Sequence, residues 1–317
     1  MALISLEPEA REVCERAKRM NFVPTTISIN VVRQRLALEQ KSPVYLHQVQ
    51  FKAETIDLGP KLGQVRVYLL FPTDIRQDEQ LPVVFYIHGG QFIAGDHHSY
   101  NKLIREITVR SRVCLVFPEY SLAPEAQAPV QNQQLLAVFK QLPLLAAKYH
   151  LNLRRLILSG DDVGGGMAVS LALQTEAQQL PIYKMCLFYP VVNYNFDTFS
   201  YISFAGGYSL TRTQMKWSWD HYLGPQAAGN SVDFSPLLAA KEQLAALPET
   251  LVISAEADVV RDEGEALARK IRDAHVKTVQ IRLQATIHDF VLKNELDTTD
   301  ACRLAMNVAV DWIRPHA

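Results

Sequence analysis

The chain is poor in cysteine and has no excess charge of either sign. Its four cysteines in 317 residues, Cys14, Cys114, Cys186 and Cys302, lie far apart and form no CxxC pair. That spacing argues against a disulfide framework or a zinc site and for buried thiols in a reducing compartment, the cytoplasm. Lys plus Arg number 32 against 33 Asp plus Glu, a formal net charge of −1. No basic field for nucleic acid or anionic lipid is present. Long apolar runs are also missing. The start, Met1 to Glu9, turns acidic before a signal peptide could form, and nothing later approaches the roughly 18 apolar residues of a membrane span. The reading is a soluble protein with neither an export signal nor a transmembrane segment. No stretch resembles a linker, and with 48% hydrophobic residues the chain can bury a large core as one domain, residues 1–317.

What is there has a clear order. Glu9 to Met20 and Ile29 to Leu38 read as helices, the second with Ser28 as N-cap and Val32 and Leu36 on one face. Val49 to Leu58 and Val65 to Leu70 alternate as a strand pair around Gly59-Pro60-Lys61-Leu62-Gly63. Near-continuous apolar strands follow at Pro82 to Ile87, Val113 to Phe117, Leu156 to Leu158, Met185 to Phe188 and Leu251 to Ser254, with another at Val279 to Arg282. Apolar strands of this kind, separated by helices, predict an α/β fold with a mostly parallel, doubly wound sheet covered on both faces. Residues 193–234 break the alternation and are rich in aromatics (Phe196, Phe199, Tyr201, Phe204, Tyr208, Trp217, Trp219, Tyr222), which suits a helical insertion above the sheet. Those rings are read either as core or as the wall of a substrate pocket. The faces Leu267 and Ile271, and Leu304, Val308 and Trp312, of two C-terminal helices are read as core.

Five stretches carry the chemistry, each following a strand. Leu156 to Ser159 runs into Gly160-Asp161-Asp162-Val163-Gly164-Gly165-Gly166 and then a helix. Ile87 is followed by His88-Gly89-Gly90-Gln91-Phe92, and Phe117 leads to Tyr120-Ser121-Leu122-Ala123-Pro124-Glu125. Leu251 leads to Asp258-Val259-Val260-Arg261-Asp262-Glu263, and Arg282 to His288-Asp289-Phe290. His97-His98 beside the second stretch is read as a solvated loop, and Ser159 as pointing into the fold.

In this order the motifs resemble the hormone-sensitive-lipase-like family of α/β-hydrolases over essentially the whole chain. The family's H-G-G-G-F/W loop, Y-R-L-A-P-E run, G-D-S-A-G-G elbow, D-P-L-R-D-E acid loop and H-G-F match the five stretches. The resemblance implies an α/β-hydrolase fold with a helical cap from about 1–40 and 193–234. It also implies that Asp258 is the triad acid orienting the imidazole of His288, and that Gly89, Gly90 and Val163 form the oxyanion hole. Members with an intact triad are carboxylesterases or lipases. Here Gln91 replaces the third glycine, Asp162 the serine nucleophile, Val163 the alanine and Asp289 the glycine.

A serine nucleophile gives its proton to histidine as it attacks an acyl carbon. Aspartate has no proton to give, and its attack on an ester would form an anhydride, so ordinary serine-esterase activity is expected to be lost or weak. The sequence leaves several readings open. One is a ligand-binding or degenerate esterase-like protein; a second is a hydrolase with weak or altered ester activity, through His288 acting on water. A third is an Asp-nucleophile hydrolase of the epoxide hydrolase or dehalogenase type, with Asp162 as nucleophile and Tyr201, Tyr208 or Tyr222 polarising an epoxide. A carboxylesterase carrying an inactivating Ser-to-Asp substitution is a fourth. A divalent metal on Asp161, Asp162, His288 and Asp289 is a weaker reading, because no metal-ligand spacing is present; no cofactor is implied. The expected ligand is a small apolar ester-like or other small molecule.

Overall fold

The computed structural model describes residues 4–20, 26–76, 78–174, 180–225 and 229–314. Eight strands form one sheet in the order β1-β2-β4-β3-β5-β6-β7-β8. They are β1 (Val49–Asp57), β2 (Gln64–Pro72), β3 (Leu81–Ile87), β4 (Cys114–Glu119), β5 (Leu151–Asp161), β6 (Ile182–Phe188), β7 (Glu249–Ala257) and β8 (Thr278–Ile287). β1 and β2 pair antiparallel, as do β2 and β4. From β4 through β8 all neighbours are parallel.

Two helices precede the first strand, α1 (Pro8–Met20) and α2 (Ile29–Glu39); α3 (Asn101–Ser111), α4 (Val130–Lys140), α5 (Leu142–Tyr149), α6 (Asp162–Leu173), α7 (Phe199–Ser203), α8 (Arg212–Leu223), α9 (Lys241–Leu244) and α10 (Arg261–Asp273) lie between strands, and α11 (Asp300–Ile313) follows the last. The fold is α/β-hydrolase. Every residue of β3 is buried, the consequence of a central parallel strand having helices on both faces. The four cysteines are free and buried. Among the described residues no helix is long and apolar enough to cross a membrane.

One expectation about a helix face needs correction. On α11 the buried side is Ala301, Cys302, Ala305, Met306, Ala309, Val310 and Ile313, whereas Leu304 is 53% exposed. Val308 and Trp312 are partly buried against the core, so of the expected face only Leu304 turns outwards. The insertion does carry helices α7 and α8, and most of its rings are core: Tyr201, Trp219 and Tyr222 are fully buried, and Tyr222 stacks on Phe92 at 3.8 Å. Phe199, by contrast, is 61% exposed.

Helix α2 has no buried residue. Ile29, Val32 and Leu36 are partly buried against the core, and polar contacts add to that packing. Arg33 makes a two-pronged pair with Glu125 at 2.8 and 2.7 Å and donates to the carbonyl of Ile93 at 2.9 Å, while Lys293 donates to Glu39. Residues 1–3, 21–25 and 226–228, which fall within the two segments expected to form a cap, lie outside the described residues.

Candidate active site

The turn from β5 into α6 is tight. Asp162, the first helical residue, has φ +49°, a left-handed conformation that non-glycine residues seldom adopt and that clusters at functional sites. The turn packs hard against the end of β3: a Cβ on Gly164 would lie 2.2 Å from the carbonyl oxygen of Ile87. This approach brings Asp162 up to the His88–Phe92 loop. Ser159 donates to the carbonyl of Cys186 at 2.7 Å and takes no part in the site.

Three of the expected residues come together here. His288 Nδ1 donates to Asp258 Oδ2 at 2.7 Å, and Asp258 Oδ1 accepts from Val260 N at 3.1 Å. On the opposite edge of the ring, His288 Nε2 lies 3.4 Å from Asp162 Oδ1 and 3.5 Å from Asp289 Oδ1. Neither contact is aligned as a hydrogen bond, so His288 Nε2 and Asp162 Oδ1 are buried without hydrogen-bond partners. Both side chains are 1% exposed.

The loop glycines are not arranged as expected. Gly89 N donates to the Tyr100 hydroxyl at 3.0 Å and to Asp161 Oδ1 at 3.1 Å; it is committed there, and its assignment to an oxyanion hole is corrected. The amide that faces the elbow carboxylate is that of Gln91, donating to Asp162 Oδ2 at 2.7 Å. Gly90, with φ +79°, lines the adjoining pocket. Val163 is the second residue of α6, and at that position a helical N–H has no intrahelical acceptor. The sequence signal for this contact is the third position of the H-G-G-x loop, where Gln91 stands, since the backbone N–H is there whatever the side chain.

The side chains at the other departures have definite places. Gln91, at φ +56°, accepts from the Ser218 hydroxyl of α8 at 3.1 Å. Asp289, at φ +64°, lies between His288 and Lys293, whose Nζ is 3.9 Å from Asp289 Oδ2. Both line a cavity of about 60 Å³, walled by Val32, Arg35, Leu36 and Glu39 from α2 and by Ser209, Leu210 and Gln214 from the insertion. None of the aromatic residues of the insertion lines it, so the alternative that they wall the pocket is set aside. The volume is well below the several hundred Å³ that enclose a drug-sized ligand.

Electrostatics follow from burial and crowding. Burial opposes a charge on His288, but the carboxylates of Asp258, Asp289 and Asp162 outweigh it and hold the imidazole pKa well above its ordinary value. Burial, with Asp289 and Asp162 nearby, pushes Asp161 up to about 8 against the hydrogen bonds of Tyr100 and Tyr86. Asp289 is likewise raised, by burial first and by Asp162, while His288 and Lys293 pull the other way. Asp161 is turned to Tyr86 Oη at 2.9 Å and Tyr100 Oη at 2.8 Å. Among the described residues no group of three or more His, Cys, Asp or Glu is placed to hold a metal ion.

Sheet order, strained elbow and the Asp258–His288 pair define a hydrolase frame. Residues 84–292 match the alpha/beta hydrolase fold family, and the chain belongs to that family. Vegetative-specific protein H5 of Dictyostelium discoideum is 32% identical over 78% of this chain and 75% of that protein. An esterase of Gibberella moniliformis is 27% identical over 82% and 83%. The crystal structure of a thermostable esterase from Pseudomonas putida superimposes with a TM-score of 0.92 at 32% identity, covering 99% of this chain and 98% of that one. Within the family the chain is carboxylesterase-like.

Proposed function

We propose that this chain is a small-molecule-binding, esterase-derived protein whose serine-type ester hydrolysis is lost or weak, with α2 and the 193–234 insertion capping the ligand pocket. One observation carries the reading. Asp162 Oδ2 accepts from Gln91 N at 2.7 Å, so the elbow carboxylate occupies the amide that a developing oxyanion would need. The other oxygen lies beside His288 with no proton to give. A cationic His288 is also a poor general base. Asp162, Asp258 and His288 remain the residues through which any residual chemistry would pass.

The test is hydrolysis of short-chain p-nitrophenyl esters by the protein and by Asp162→Ser. The unaltered chain is expected to turn over near background. Asp162→Ser is expected to be faster by about 100-fold or more, because it restores a nucleophile with a proton and frees the Gln91 amide. Equal rates in two folded proteins would refute the proposal.

A second reading, an Asp-nucleophile hydrolase, draws on Asp162 Oδ1, an unpaired carboxylate oxygen beside an imidazole. Against it, Tyr201, Tyr208 and Tyr222 do not line the pocket, and the Tyr222 hydroxyl is given to Asn132 at 2.9 Å. The two readings separate in ¹⁸O water with a panel of epoxides and alkyl halides under single-turnover conditions. A covalent alkyl ester would be cleaved at the carboxyl carbon and leave label in Asp162. No label is expected; label from any substrate would make Asp162 a nucleophile and His288 the base for water.

A further inference from the structure

The substitution at the elbow is not alone on the reacting edge of His288. Asp289 follows it immediately in the chain, and its Oδ1 is 3.5 Å from His288 Nε2, nearly as close as Asp162 Oδ1 at 3.4 Å. The backbone at 289 is left-handed, φ +64°, a conformation that costs glycine nothing and other residues free energy. A carboxylate is therefore held at a strained position, partly buried against a ring nitrogen that has no hydrogen-bond partner.

We infer that Asp289 is a second positioning residue at this site, holding the proton on His288 Nε2, so that serine-type chemistry restored by a change at position 162 is shifted to lower pH and raised further by a change at 289. The inference rests on the proposed loss of ester hydrolysis and deepens it. In a serine-bearing elbow, the Oγ–H bond breaks as Oγ attacks the acyl carbon, and the proton moves to Nε2. Nε2 must be empty to receive it. With Asp162 gone, Asp289 still presents a carboxylate to that nitrogen.

The groups facing His288 come from every neighbouring element. Asp258, after β7, sits on Nδ1. Asp162, on α6, and Asp289, after β8, face Nε2. The ring of Tyr189, after β6, lies 4.7 Å away. Lys293 approaches Asp289 but is already paired with Glu39 of α2. Lys293 is therefore shared between Glu39 and Asp289, and Asp289 turns Oδ2 towards the ammonium and Oδ1 towards the imidazole.

The experiment compares Asp162→Ser with the double variants Asp162→Ser/Asp289→Gly and Asp162→Ser/Asp289→Asn. Two readouts are used: the pH dependence of p-nitrophenyl acetate hydrolysis and the NMR titration of His288. Glycine suits the backbone at 289, and asparagine keeps the shape while removing the charge. Both double variants are expected to move the acid limb of the rate profile and the His288 midpoint down by about one pH unit or more, with about tenfold more activity at the foot of the limb. Superimposable profiles and midpoints would overturn the inference. So would a shift with glycine but not with asparagine, since charge would then not be the cause. If none of the three variants hydrolyses the ester, the proposed function fails instead, while the NMR midpoints still decide the role of Asp289.

Discussion

Two of the buried charge clusters among the described residues are built on opposite terms. Between α3 and α11, Glu106 is 3% exposed and is met by Arg110 at 2.6 Å, by Arg303 at 2.9 Å and by Lys102 at 3.1 Å, while Asp297 pairs with Lys102 and Arg303. Cations outnumber carboxylates there, and both oxygens of Glu106 have donors. Around His288 the balance is reversed: Asp162, Asp258 and Asp289 face one imidazole, and two polar atoms have no hydrogen-bond partner. Atoms without a hydrogen-bond partner occur in both, Lys102 Nζ and Arg303 Nε in the first as well as Asp162 Oδ1 and His288 Nε2 in the second, so the difference lies in the charge balance. Three carboxylates crowded on one imidazole in the interior repel one another and give up stability that the mixed cluster keeps.

The largest effect expected from this contrast is on Glu106. Burial alone would raise its pKa, but Lys102 and Arg303 hold it at about 2. A depressed carboxyl contributes stability that is complete above its unfolded value and is lost as pH falls through the folded one. Acid unfolding should therefore steepen between about 4.5 and about 2. Glu106→Gln should cost about 3 kcal/mol at neutral pH, measured by urea unfolding, and should flatten that limb. A loss below about 1 kcal/mol would show that the cluster is not the staple its geometry suggests.

His288 should behave in the opposite sense. Its folded pKa lies above the ordinary value, so its contribution to stability is complete at pH values below the unfolded imidazole pKa and is lost as pH rises through the folded one. The unaltered protein should lose stability on the alkaline side with a slope of at most about 1.4 kcal/mol per pH unit. His288→Gln should remove that slope. An unchanged alkaline limb would mean that His288 is not charged in the folded protein.

Much of the frame was legible because it is written in local pattern. The first two strands could be read from their alternation and the central ones as apolar runs, since a strand buried on both faces has no polar alternation to confuse it. Their ends did not: β5 starts at Leu151, ahead of the apolar run, because Asn152, Arg154 and Arg155 continue the strand beyond the buried stretch. Asp258 and His288 could be placed because their roles attach to strand ends. What could not be read was direction. Nothing in His88-Gly89-Gly90-Gln91 says that Gly89 turns its amide to Asp161 while Gln91 serves Asp162. Nor does the sequence say that Asp289 would face His288 Nε2, because loop dihedrals and contacts between distant strand ends set both.

The smallest expected effect makes the sharpest test of the contrast, because in Asp162→Asn two changes oppose each other. Removing the charge relieves the crowding of Asp162 against Asp289, yet it also takes one carboxylate from His288 and lowers the imidazole's hold on its proton. The amide oxygen can still accept from the Gln91 N–H, as Asp162 Oδ2 does at 2.7 Å. The amide nitrogen, placed where Oδ1 now stands 3.4 Å from Nε2, can donate to the neutral ring and pair two atoms that are unpaired in the unaltered protein. The expected change in unfolding free energy is within about 1 kcal/mol, with a weaker alkaline slope. If Asp162→Asn instead cost as much as Glu106→Gln, the His288 cluster would be as structural as the one between α3 and α11. Its excess of carboxylate would then have no functional meaning.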